Sequence, residues 1–332
     1  MIPLHTEVIY LAVGIPSLIF YVIVIISLLQ RSRKEGTAVA FYRIFAVVCI
    51  LDCTSYIVNT TNFRLPMCPA LSFLYVHFKP SAITVILNVA QYFCWFAQLF
   101  GQCLITLNRF TAVAFPARHI MLWQKYSFRA ICGMLLFGFA CSWQLLLTTV
   151  HFERHEIAGT EQFYYTFYTD DADILIANNP LYYTTILVSI MSVIASLFQI
   201  TLHTLIFLLI RRRRTNQETS PHQLPKTELN LLLLSLAMFL ISLTYGIYQI
   251  TVSVLLCLGH EDTATALLDY YLVCADLNNL SPPYLLCAVS GTARKTVTRM
   301  LCCVIKGRQV KVKPMASTQQ ELENTTRGAH KN

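Results

Sequence analysis

The chain has 332 residues, of which 55% are hydrophobic and 13% are charged, and its formal net charge is +8. Soluble domains carry about 25% charged residues, so this composition excludes a water-soluble globular fold and favours a polytopic membrane protein. The basic residues lie in short segments between long apolar runs, a distribution that argues against nucleic acid as a partner.

Seven apolar runs are long enough to cross a bilayer as helices, since one crossing takes about 20 residues. The sequence therefore predicts an all-α membrane protein in which residues 1–290 form a seven-transmembrane helix bundle. We place the spans at about 8–30, 40–62, 82–107, 130–150, 181–210, 229–258 and 265–290.

Basic residues set the direction of the chain, because inner loops of membrane proteins carry more lysine and arginine than outer loops. With the N-terminus outside, the inner segments hold 21 lysines and arginines and the outer segments hold three. The sequence therefore predicts an outside N-terminus and a cytoplasmic C-terminus. The first span is expected to be an anchor rather than a cleaved signal peptide, because no basic segment precedes it.

Asp52 in the second predicted span and Asp276 in the seventh lie well away from the span ends. A charge at the bilayer centre costs at least about 2.5 kcal/mol, so each carboxylate needs a partner or a function. Together with Asn279 they are predicted to form a polar core shared by the two spans, which holds a cation or a proton. The alternative is a neutral carboxylic acid that is hydrogen-bonded to a neighbour.

Polar side chains recur at helical spacing in spans three, five, six and seven. Such groups face the interior of a bundle, because lipid offers them no partner. Close packing between helices is one interpretation of this pattern, since small and amide side chains allow it. For the outer half of the bundle we also consider a pocket for a small-molecule ligand. Its candidate residues are Asn88, Gln91, Trp95, Tyr245 and Gln249.

The chain carries no G-x-S-x-G segment, no phosphate-binding loop and no dinucleotide-binding fingerprint, which are motifs of catalysis and cofactor binding. Its twelve cysteines include no C-x-x-C pair, and most lie in spans, where thiols behave as small apolar groups. We therefore expect no enzymatic activity, no metal and no cofactor.

The inner end of the third span reads "LNRFTAVAFPARHIMLW" over residues 107–123. Arg109, Phe110 and Pro116 match the arginine, the aromatic residue and the inner-loop proline of rhodopsin-like G-protein-coupled receptors, whereas Asn108 replaces the acid that usually precedes the arginine. More closely, the segment with its nearby Trp123 resembles the nematode serpentine chemoreceptors of class gamma.

This resemblance implies a chemosensory receptor in the plasma membrane, including the sensory cilia of neurons, that binds a small molecule and signals to a heterotrimeric G protein. It assigns the coupling switch to the Asn108–Arg109–Phe110 segment and Pro116. One departure from the rhodopsin-like pattern is that residues 151–180 contain no cysteine. The disulfide that usually holds the second outer loop therefore has no partner there for Cys68.

After the seventh span, residues 291–305 are predicted to form an amphipathic helix on the membrane lipid, and residues 306–332 a disordered cytoplasmic tail. Cys302 and Cys303, at the end of this helix, are candidate palmitoylation sites. Asn59-Thr-Thr is a glycosylation sequon whose asparagine lies too near the membrane to be modified.

A ligand-gated channel subunit or a transporter with a similar number of spans is the main alternative. Seven-span receptors that gate ion flow directly have an inside N-terminus, which the charge count opposes. A transporter would be favoured by internal repeats and paired broken helices, and the sequence shows neither.

Overall fold

The structure is a computed structural model that describes residues 4–32, 39–75, 82–148, 150–156, 163–169, 180–215, 226–258, 260, 263, 267 and 270–305. In the described ranges, seven long helices follow one another, and a shorter helix comes after them. Their bounds are Leu4–Ser32 (α1), Val39–Asn59 (α2), Ala82–Ala114 (α3), Pro116–Ser142 (α4), Pro180–Thr215 (α5), Lys226–Cys257 (α6), Tyr271–Val289 (α7) and Gly291–Ile305 (α8).

The predicted class, an all-α seven-helix membrane bundle, is confirmed. Six of the helices, α1 to α6, contain stretches long and apolar enough to cross a membrane. The seventh, α7, has 19 residues, a length of about 28 Å at 1.5 Å per residue. It packs against α1, α2 and α6 inside the bundle. The membrane boundaries drawn within these helices remain predictions.

Helix α4 begins at Pro116, well before the predicted span at 130–150. Phe115 leaves the helical conformation, with φ −133° and ψ 61°, and proline suits the first position of the next helix because it has no N–H to satisfy there. His119, Trp123 and Ser127 recur every four residues and are buried, while most residues between them are exposed. The second inner loop is therefore the amphipathic start of α4.

Helix α2 continues beyond its predicted end at residue 62. A π-helical turn over Thr60–Arg64 and a short helix over Leu65–Met67 extend it. This extension carries Arg64 back into the bundle, where only 1% of its surface is exposed. Arg64 is therefore not a residue of an exposed outer loop, as the charge count had assumed.

The second outer loop contains an antiparallel hairpin of Val150–Glu156 (β1) and Phe163–Thr169 (β2), which the sequence did not lead us to expect. Five of the seven residues of β2 are aromatic, and aromatic residues favour a strand. Phe152 and Tyr165 are buried on one face against Tyr75, which belongs to a 3₁₀ turn over Ser72–Tyr75. Burial raises the pKa of Tyr75.

Close helix contacts hold the bundle together. At Gly138 in α4, an added Cβ would lie 2.9 Å from the carbonyl oxygen of Phe93 and 3.0 Å from the Cβ of Ala97. Only glycine therefore allows α4 to approach α3 this closely, because real Cβ atoms do not come within such distances.

Helix α8 lies against α1 and α7. Ala293 and Val297 are buried, Ser27 of α1 donates a hydrogen bond to the sulfur of Met300 at 3.0 Å, and Arg294 and Arg299 are exposed. The helix at residues 291–305 thus has an apolar and a basic face. The side chains of Cys302 and Cys303, and the predicted disordered tail at 306–332, lie outside the described residues.

Candidate functional site

The carboxylate of Asp52 lies in the middle of the bundle and is 2% exposed. Gln98 of α3 donates from Nε2 to its Oδ1 at 2.9 Å, and Tyr21 of α1 donates from its hydroxyl to its Oδ2 at 3.3 Å. Gln98 Nε2 also lies 3.2 Å from Oδ1 of Asn279, and Asn279 donates to Ser55 Oγ at 3.2 Å. Asp52 and Asn279 therefore share one polar network that joins α1, α2, α3 and α7.

Asp276, the third residue predicted for this polar core, lies elsewhere. Its carboxylate forms a salt bridge with Arg64 at the outer end of the bundle. Arg64 also donates to the hydroxyl of Tyr56 at 3.4 Å and to the carbonyl oxygen of Leu272 at 3.3 Å. Its guanidinium carbon stands 4.4 Å from the centre of the Tyr10 ring.

The predicted polar core is therefore two sites, a hydrogen-bonded network around Asp52 and an ion pair between Arg64 and Asp276. Sequence reasoning missed Arg64, because it follows the predicted second span. The signal that could have found it was Asp276 itself, since a carboxylate within a membrane helix favours a nearby cation or hydrogen-bond donor.

The five candidate ligand-pocket residues occupy the outer half of α3 and α6, and the structure brings only some of them together. Trp95 and Tyr245 belong to one buried cluster, and Gln249 donates from Nε2 to the Tyr245 hydroxyl at 3.0 Å. Asn88 Nδ2 and Gln91 Oε1 are buried and have no hydrogen-bond partner among the described residues. These two groups are an unused donor and an unused acceptor, one turn apart on α3.

A small polar cavity lies below these residues, among α3, α5, α6 and α7. Of the five predicted pocket residues, Trp95 and Tyr245 line it, and the rest of its lining is uncharged. Gln102 Oε1 and Ser192 Oγ, which are also part of the lining, have no hydrogen-bond partner in the part of the chain that the structure describes. The space is about 10 Å³, which is room for one water molecule and not for a larger ligand.

Arg109 lies at the inner end of α3 and is 1% exposed. Its Nε donates to the side-chain oxygen of Asn108 at 3.2 Å, and its Nη2 approaches the same oxygen. The guanidinium carbon lies 4.6 Å from the centre of the Phe41 ring of α2, within the range of a cation–π contact. A neutral amide and an aromatic face thus hold this arginine.

The other two residues of the predicted switch lie at the corner between α3 and α4. Phe110 is half-buried and packs edge-on against Phe115, with ring centres 6.4 Å apart. Pro116 is exposed and opens α4.

Thr111, which directly follows the Asn108–Arg109–Phe110 segment, connects the two helices at this corner. Its hydroxyl lies 3.0 Å from the carbonyl oxygen of Asn108, 3.1 Å from His119 Nδ1 and 2.8 Å from Trp123 Nε1, whose N–H donates to it. Sequence reasoning singled out neither Thr111 nor His119, although both stand inside the "LNRFTAVAFPARHIMLW" segment. Within the described residues, no group of three metal-binding side chains occurs.

Comparison with known proteins gives a consistent result. The model of the Srg family of chemoreceptors matches residues 7–297. Serpentine receptor class gamma-20 of Caenorhabditis elegans is 27% identical over 116 residues, which is 33% of this chain and 33% of that protein. Serpentine receptor class gamma-14 of the same organism is 25% identical over 132 residues, 38% of this chain and 40% of that protein.

The chain therefore aligns with between a third and two fifths of the length of these two relatives. The family match, in contrast, extends over nearly the whole chain. These similarities confirm the resemblance that the sequence predicted.

Proposed function

Because this chain belongs to the Srg chemoreceptor family, we propose that it is a chemosensory G-protein-coupled receptor of the plasma membrane, including sensory cilia. It binds a small molecule in the outer half of the bundle and signals to a heterotrimeric G protein at the inner end of α3. The observation that carries this proposal is the buried Arg109 at the inner end of one unbroken helix. Near its outer end the same helix carries the unused polar groups of Asn88 and Gln91.

The outer half supplies the chemistry of ligand recognition. Burying a polar group without a partner costs about 1–3 kcal/mol, so the unused groups of Asn88 and Gln91 favour a ligand that accepts one hydrogen bond and donates another. Trp95 and Tyr245 supply aromatic surface beside them. The neighbouring cavity is too small for such a ligand, so its binding requires the helices to separate. A ligand that binds only the separated conformation increases the population of that conformation.

The inner end supplies a group that can exchange partners. In the structure, Asn108 and Phe41 hold the guanidinium of Arg109 inside the bundle. When the inner ends of the helices separate, the same planar guanidinium can bind backbone carbonyls at the end of an inserted helix of the G protein. Transmembrane signalling requires at least two sites, each of which favours one of two conformations of the same bundle.

The neutral partner affects how firmly Arg109 is held. An ionised acceptor would add the attraction between two opposite charges to the hydrogen bond of the guanidinium, whereas a neutral amide does not. Asn108 stands where a carboxylate usually precedes this arginine, so the bond to its side chain has one charge and not two. We therefore expect measurable signalling without ligand.

The test is activation of Gα in cells that express the protein and are exposed to pooled small-molecule extracts. Wild type is compared with Arg109→Ala, and with Arg129→Ala, which removes an exposed arginine of α4, at equal surface level. Membrane current is recorded in parallel. We expect ligand-dependent activation in wild type and Arg129→Ala and none in Arg109→Ala. Ligand-evoked current without Gα activation would contradict the proposal and favour a channel.

A further inference from the structure

The corner between α3 and α4 is joined by one hydroxyl. Helix α3 ends at Ala114 and α4 starts at Pro116, so a single residue, Phe115, separates them. Backbone bonds fix the turn locally, since the N–H of Phe115 donates to Thr111 at 2.9 Å and that of His119 to Phe115 at 2.9 Å. They do not determine how far α4 leans toward α3. Packing along the two helices, as at Gly138, and the side chains that cross the corner set that angle together.

Three buried groups meet at the Thr111 hydroxyl. The residues Thr111, His119 and Trp123 are 7%, 2% and 5% exposed. A threonine hydroxyl can donate one hydrogen bond and accept two. Donation to the carbonyl oxygen of Asn108, with acceptance from Trp123 Nε1–H and from His119 Nδ1–H, uses all three positions. This assignment gives His119 the tautomer with its hydrogen on Nδ1.

We call the contacts among Thr111, His119 and Trp123 the Thr111 joint. Asn108 connects this joint to Arg109. Its backbone carbonyl oxygen accepts the Thr111 bond, while its side-chain oxygen accepts the bond from Arg109. The same residue therefore fixes α4 and holds the arginine. His119 and Trp123 lie four residues apart on one face of α4, so the joint controls the first two turns of that helix.

We propose that the Thr111 hydroxyl is a positioning group that sets the orientation of the start of α4 relative to Arg109. This inference has two halves. The structural half is that the hydroxyl fixes the start of α4, and the coupling half is that this orientation is needed for G-protein binding. Only the coupling half rests on the proposed function. Loss of the hydroxyl leaves a buried indole N–H and a buried imidazole without their common partner. The corner then opens, and the inner surface no longer presents Arg109 and α4 in the geometry that the G protein binds.

Two matched variants test the structural half. Thr111→Val keeps the shape of the side chain and removes the hydroxyl, while Thr111→Ser keeps the hydroxyl. Amide hydrogen exchange of residues 116–124 is measured by mass spectrometry on the purified full chain in nanodiscs. We expect at least tenfold faster exchange in Thr111→Val and exchange within twofold of wild type in Thr111→Ser. Thr106→Val, which removes another buried hydroxyl of α3, is the control and should leave these amides unchanged.

The coupling half is tested with the same preparations and a purified Gα heterotrimer. Ligand-free nucleotide exchange is expected to fall at least fivefold in Thr111→Val and to stay within twofold of wild type in Thr111→Ser. Arg109→Ala marks the level without coupling.

Each outcome decides one half. Unchanged hydrogen exchange in Thr111→Val would overturn the joint, and faster exchange with full coupling would overturn its role in signalling. A wild type that stimulates no nucleotide exchange above Arg109→Ala would overturn the proposed function and the coupling half together. The hydrogen-exchange result would still decide the joint.

Discussion

Two arginines are almost completely buried at opposite ends of this bundle, and they are held in different ways. Arg64 at the outer end is paired with the carboxylate of Asp276. Arg109 at the inner end is held by the side-chain oxygen of Asn108 and by the ring of Phe41. The two residues have equal exposure, 1% each, so burial alone does not distinguish them.

The described partners of the two arginines differ in charge. Removing one partner of a buried ion pair leaves an uncompensated charge, so such a pair breaks only at a large cost. A contact with a neutral amide and an aromatic ring costs less to exchange. The outer arginine therefore joins α2 to α7, whereas the proposed switch requires the inner arginine to change partners.

The largest expected effect is on the outer pair. Arg64→Ala should lower the free energy of unfolding by about 3–5 kcal/mol, because Asp276, whose side chain is only 18% exposed, would lose its cation. Thermal unfolding of the purified protein measures this loss. The control is Arg154→Ala, which breaks the exposed pair with Glu156 at 3.2 Å and should cost less than about 1 kcal/mol. Equal effects in the two variants would contradict a structural role for the outer arginine.

A smaller effect is expected when the inner arginine receives a charged partner. Asn108→Asp should lower ligand-free Gα activation roughly tenfold, because a bond between two charges gains about 1.4 kcal/mol or more over the present one. Asn108→Gln, which lengthens the side chain and stays neutral, separates charge from shape. Unchanged ligand-free signalling in Asn108→Asp would show that this contact does not restrain Arg109.

The hairpin at the outer end allows a third comparison, between attachment by a disulfide and attachment by aromatic packing. Residues 151–180 contain no cysteine that could form a disulfide. The hairpin rests on Tyr75, which packs against Phe152 with ring centres 4.9 Å apart and donates from its hydroxyl to the Thr61 carbonyl oxygen at 2.6 Å. Tyr75→Phe should cost about 1 kcal/mol and Tyr75→Ala about 3 kcal/mol or more. The melting temperature of the protein should be the same with and without a thiol reductant. A lower melting temperature on reduction would contradict the conclusion that packing on Tyr75 holds the hairpin.

The smallest effect concerns Asn59 and its sequon. Asn59 is buried, and its side-chain oxygen accepts a bond from the Tyr271 hydroxyl at 3.2 Å. We expect glycosidase treatment to leave the electrophoretic mobility of the expressed protein unchanged. Asn59→Ala, which removes the acceptor, should lower the surface level. A mobility shift on glycosidase treatment that is absent in Asn59→Ala would contradict the buried position.

The helices were predictable from the sequence because hydropathy alone marks them. Their ends were not, since the π-helical turn that returns Arg64 to the bundle depends on its partner in α7. Pro116 and the four-residue spacing of His119 and Trp123 indicate that α4 starts at residue 116. This start was not predicted because the segment before the fourth span was assumed to be a loop. The hairpin also had a signal, the five aromatic residues among the seven of β2, although its contact with Tyr75 depends on a distant turn.

The candidate site was predictable in the same uneven way. Asp52 and Asn279 proved to share one network, because polar groups inside a bundle must find one another. Asp276 was assigned to the wrong partner, since several groups could satisfy a carboxylate and only the fold selects one. Predicting the Thr111 joint requires the angle between α3 and α4, and the residue pattern of one helix does not contain that angle.

The most direct test of the difference between the two arginines measures stability and coupling in the same purified Arg109→Ala protein. The melting temperature is compared with that of Arg64→Ala, and nucleotide exchange on a Gα heterotrimer is compared with wild type. We predict that Arg109→Ala melts well above Arg64→Ala and loses Gα activation. An Arg109→Ala protein that folds and still activates Gα would contradict the assignment of Arg109 as the switch.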